Sequence, residues 1–131
     1  ITDEYTKWTF VYLLTTKDQA LQSLQLFAGS TVISFGGSIV RWRADKGGEY
    51  IGEGFQQYCL ETGIIQEFAA TNTPQQIGVS KRVERTLCAM VRCMRADCGF
   101  PSSMWGELFM TDAHLKNRTP YKAFKETPFK M

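Results

Sequence analysis

The chain has 131 residues, 44% of them hydrophobic and 21% charged, ordinary globular usage that argues against disorder and low complexity. That length suits one domain, or a piece of one, with a real core, and no run of about 18 apolar residues could form a membrane-spanning helix. The formal charge of +2 hides a division: residues 1–78 carry five basic and eight acidic side chains, whereas residues 79–131 carry ten and five.

At the N-terminus, "ITDEYTKW" has neither the basic nor the apolar region of a signal peptide, so an intracellular chain is expected. The absence of an initiator Met reads as excision from something longer. "KWTFVYLL", residues 7–14, is rich in aromatic and branched residues and reads as a strand. In "TKDQALQSLQLF", Thr16 or Asp18 can cap a helix along which Ala20, Leu21, Leu24 and Phe27 recur at helical spacing, until "FGGS" breaks it. "SIVRWR", 38–43, is a short strand that delivers Asp45 to the loop beyond its carboxyl end. "GFQQYCLETG" reads as a short helix closed by Gly63, and "IIQEFA", 64–69, as a third strand. "ATNTPQQIG", 70–78, has the composition of a mobile loop.

The strongest helix follows. Val79, Val83, Leu87, Met90, Val91 and Met94 share one face, with Lys81, Arg85, Arg92 and Arg95 opposite. A second helix is expected after Pro101 over "SSMWGELFMTDAHLKN", then a basic, irregular tail from about 117 to 131, packed back on the domain. Strands alternating with helices give an α/β class, in which ligands sit beyond strand carboxyl ends. Asp45 lies at such an end, although an aspartate before Gly-Gly is ordinarily turn chemistry.

Other chemistry is thin. Cys59, Cys88, Cys93 and Cys98 match neither a zinc knuckle nor a redox motif and read as reduced, mostly buried thiols. His114 stands alone and is assigned no role. Asn117-Arg118-Thr119 matches a glycosylation sequon without a secretion route to use it. The basic second half suits a polyanionic partner, although a solvated basic surface is the commoner cause of such asymmetry.

The order "RADKGGEY", "TPQQIGV", "RTL", "WGE", "NRTP" and "TPF" resembles the integrase core domain of copia-type retrotransposons over essentially all of residues 1–131, a single partial domain. The resemblance implies a ribonuclease H-like mixed sheet flanked by helices, here lacking its central first strand and most of the second. It implies DNA integration by polynucleotidyl transfer in the nucleus, with DNA and further copies of the chain as partners and no membrane. Two Mg²⁺ or Mn²⁺ ions, held by two aspartates and a glutamate, would stabilise the attacking and leaving oxygens, and hard ions need oxygen ligands.

On that alignment Asp45 is the second aspartate and the remaining metal ligand. The glutamate should follow after 35 intervening residues, at a position that is Lys81, and the first aspartate lies upstream of Ile1. A unit charge at about 4 Å is worth roughly 4 kcal/mol at an effective dielectric of 20, so this charge reversal is expected to empty the shared site. Glu84 lies about 60° around the helix from position 81, too far to restore the geometry. The expected outcome is a catalytically dead integrase core. The competing reading is a nucleic-acid-binding module in which Lys81, Arg82, Arg85 and Arg92 track phosphates while Gln75 and Gln76 contact the backbone. Open strand edges are expected to leave the isolated chain marginal or misassembled.

Overall fold

Indole and phenyl rings organise the first core. The computed structural model describes residues 1–69, 78–121 and 125–130, which group into two compact units. Residues 14–77 form one; residues 1–13 with 78–131 form the other.

In the 14–77 unit, Thr16 is the N-cap of a 3₁₀ turn, Lys17–Gln19, that leads into helix α1, Ala20–Leu26. The Gln19 side chain reaches back to accept from the Thr15 amide at 2.7 Å. Helical geometry continues beyond Phe27 through a π segment, Phe27–Val32, and stops within the expected "FGGS" break, where Gly36 takes φ 67°. Only glycine enters that left-handed region without strain.

Strand β1, Arg41–Ala44, then helices α2, Gly48–Ile51, and α3, Glu53–Thr62, lead to strand β2, Ile65–Phe68. The strands pair in parallel with Arg41 opposite Ile65 and Ala44 opposite Phe68. A parallel pair requires a crossover of this kind. Side-chain alternation turns Trp42 and Ala44 inward and Arg41 and Arg43 outward, where Glu67 accepts from both guanidinium groups. The core is Leu24, Phe55, Cys59 and Ile64, with Trp42 and Tyr50 rings 6.1 and 5.5 Å from Phe55. Gly63, at φ 72°, caps α3 through its amide to the Cys59 and Leu60 carbonyls.

In the other unit, helix α4, Gly78–Cys98, buries Leu87 and Val91 and packs on helix α5, Trp105–Arg118. Leu108 and Ala113 are the buried apolar residues of α5. Gly106 is buried because a Cβ there would stand 2.8 Å from the Leu13 side chain, so "WGE" carries a packing glycine. The expected strand over residues 7–14 is reduced to one antiparallel bridge, Thr2 to Thr9. Ile1 and Phe10 exchange both backbone bonds at 2.8 Å, and the Asp3 amide donates to the Trp8 carbonyl at 2.9 Å. Residues 11–14 have no neighbouring strand among the described residues, and an extended segment without a ladder is not a strand. The tail returns to its unit, with Phe129 stacked 5.8 Å from Trp8 and the Arg118 guanidinium 4.6 Å from the Phe129 ring centre.

The thiols depart from expectation. All four are free, but only Cys59 is buried; Cys88 is half-buried, and Cys93 and Cys98 are exposed. Leu87 and Val91 take the buried face of α4, leaving Cys93 off it and Cys98 on the final turn.

Candidate functional site

Asp45 follows the last residue of β1, where the strand rule places it. It is exposed, and its Oδ1 accepts from the Gly47 amide at 3.2 Å, so one carboxylate oxygen holds its own turn. The Glu49 side chain folds back over the loop, where a Cβ added at Gly47 would lie 2.9 Å from its carboxyl. Tyr50 registers both acids: burial first, then Glu49 and Asp45, push its hydroxyl above the usual phenol range. Glu49 is thus a second carboxylate that acts on the same Tyr50 and that sequence reading left without a role, although "GGEY" displays it four residues on.

In the 78–131 portion, Lys81, Arg82, Arg85 and Arg92 all lie exposed on α4. At 1.5 Å per residue the row spans about 16 Å. The Arg82 guanidinium turns back over Gly78, where an added Cβ would lie 2.9 Å from Nη1. Arg95, expected in the same row, is instead half-buried and donates to Ser102 Oγ at 2.7 Å. Its side chain spans the α4–α5 turn rather than facing outward. Glu84 is exposed and borders an open groove of about 280 Å³ with Thr2, Val11, Val83, Leu87 and Phe109. Gln75 and Gln76 lie outside the described residues.

Among the described residues no group of three or more His, Cys, Asp or Glu side chains is placed to hold a metal ion. A divalent pair wants several converging carboxylates. Here Asp45 is committed to its own turn and no two further acids converge on it among the described residues, so those residues do not fit that pair.

Two buried polar groups went unforeseen. Asp112 on α5 is 1% exposed, neither carboxylate oxygen has a hydrogen-bond partner among the described residues, and burial raises its pKa. Asn117, 4% exposed, pairs with the Thr9 backbone. Asn117 meets Thr9 across 108 residues of chain, a contact that the "NRTP" motif alone does not reveal.

No family model matches the chain. A Nicotiana tabacum protein, the retrovirus-related Pol polyprotein from transposon TNT 1-94, is 39% identical over 118 residues, 90% of this chain. The chain spans only 9% of that relative's length. Among solved structures, an intasome of simian T-cell lymphotropic virus in complex with the PP2A regulatory subunit B56 gamma gives a TM-score of 0.76 at 16% identity. The match covers 98% of this chain and 45% of that one. The HTLV-2 integrase catalytic core domain, solved with magnesium in a trimeric form, gives 0.72 at 14% identity over 98% of this chain and 79% of that one. These structural likenesses speak for the fold, and the transposon relative speaks for the lineage. Motif order, the placement of Asp45 and both kinds of similarity agree that the chain is a ribonuclease H-like integrase-core segment of the copia-type retrotransposon Pol polyproteins.

Proposed function

We propose that this segment is a degenerate integrase core that neither processes nor joins DNA ends. The observation that carries the reading is Lys81, a cation at the position where the family alignment requires the third carboxylate. An ammonium opposes divalent ions electrostatically and has no lone pair to offer them when protonated. Asp45, engaged with the Gly47 amide, supports the same reading, since a carboxylate that closes its own turn needs no metal to be satisfied. Strand transfer between labelled oligonucleotides with Mg²⁺ or Mn²⁺ tests it. No joined product is expected, and magnesium-dependent joining that disappears on Asp45→Ala would overturn it.

A second reading, DNA-backbone binding in the nucleus without chemistry, is favoured by the exposure of Lys81, Arg82, Arg85 and Arg92 along one helix. Lys81 then adds a phosphate contact instead of removing a metal ligand. Binding to duplex DNA should weaken with salt at a log–log slope of about −0.9 per phosphate neutralised. Affinity indifferent to salt would leave the inert remnant alone.

A further inference from the structure

The "NRTP" motif has no part in either functional reading, yet its asparagine is almost fully buried. Its surroundings explain why. In the N-terminal hairpin, Trp8 and Phe10 direct their backbone groups toward residues 1–3. Alternation then turns the Thr9 amide and carbonyl to the opposite, outer edge. An outer edge with free donors and acceptors is a template for another strand.

Here α5 closes it with side chains. Asn117 Oδ1 accepts from the Thr9 amide at 2.9 Å, and Asn117 Nδ2 donates to the Thr9 carbonyl at 2.8 Å. A carboxamide is the one neutral side-chain group that offers a donor and an acceptor side by side, as a peptide group does. One residue earlier, Lys116 Nζ donates to the Lys7 carbonyl and to Thr9 Oγ1, both at 3.0 Å. Every outward backbone group at Lys7 and Thr9 that a neighbouring strand would engage is therefore occupied. The Phe129 amide donates to the Asn117 carbonyl at 3.0 Å, tying the tail to the same point.

We propose that Asn117, assisted by Lys116, is an edge lock: it stands in for a neighbouring strand at Thr9 and prevents that edge from pairing with a second copy of the chain. The lock ends at Thr9, since Val11 has no hydrogen-bond partner on this edge among the described residues.

Hydrogen exchange of the 131-residue chain tests the lock. Asn117→Leu, similar in size but without polar atoms, should speed exchange at the Thr9 amide at least tenfold. Amides of α4 around Leu87 should be unaffected, and sedimentation should show more self-association than in the unsubstituted chain at the same concentration. Asn117→Asp keeps the acceptor for the Thr9 amide and loses the donor, so it should retain most of that protection. Unchanged Thr9 exchange in Asn117→Leu would overturn the proposal, as would parallel acceleration at Thr9 and α4 in both variants, which marks a general packing role. A monomeric Asn117→Leu chain with an exposed Thr9 amide would overturn the blocking of self-association.

Discussion

Asp112 carries a cost at the residue scale. A buried carboxyl with no hydrogen-bond partner among the described residues resists ionisation, so its folded pKa lies above the ordinary 3.8. Between 3.8 and that raised value the folded state holds more protons than the unfolded state, so stability falls as pH rises through the window. Asp112→Asn removes the ionisation and should raise Tm at pH 7. At pH 3, where the carboxyl is protonated in both states, the gain should nearly vanish; calorimetry at the two pH values checks it. Gly63 makes a different kind of contribution. A Cβ there would meet nothing within 4 Å, so the cost of Gly63→Ala is conformational alone. Denaturant titration should show a loss of about 1 kcal/mol, the usual cost of forcing an L-residue into the left-handed region.

At the scale of elements, the exposed row on α4 gives a prediction of its own. If the row binds DNA, Arg85→Ala should weaken binding about equally across sequences and reduce the salt slope by about 0.9, read from binding isotherms at several salt concentrations.

For the whole molecule, each unit carries a fragment of sheet with little ladder to hold it: among the described residues, one parallel pair in one unit and one bridge in the other. Open edges lower cooperativity and invite intermolecular pairing. Thermal unfolding of the 131-residue chain should therefore be broad and should broaden further with protein concentration; one sharp, concentration-independent transition would refute this. Much of the molecule is written locally. The apolar spacing of α4, the stops at Gly36 and Gly63, and the strand leading to Asp45 are each settled within a turn or two of chain, so they were legible in the sequence, as was the family through its ordered motifs. Pairing was not. Residues 7–14 have the composition of a strand, but a strand exists only where a partner supplies its hydrogen bonds. The burial of Asp112 and the turn of Arg95 toward Ser102 depend on packing rather than on local pattern, and the hold of Asn117 on Thr9 joins groups 108 residues apart. Periodicity fixes which face of an element is apolar; only the packed chain decides which polar groups on it find a partner.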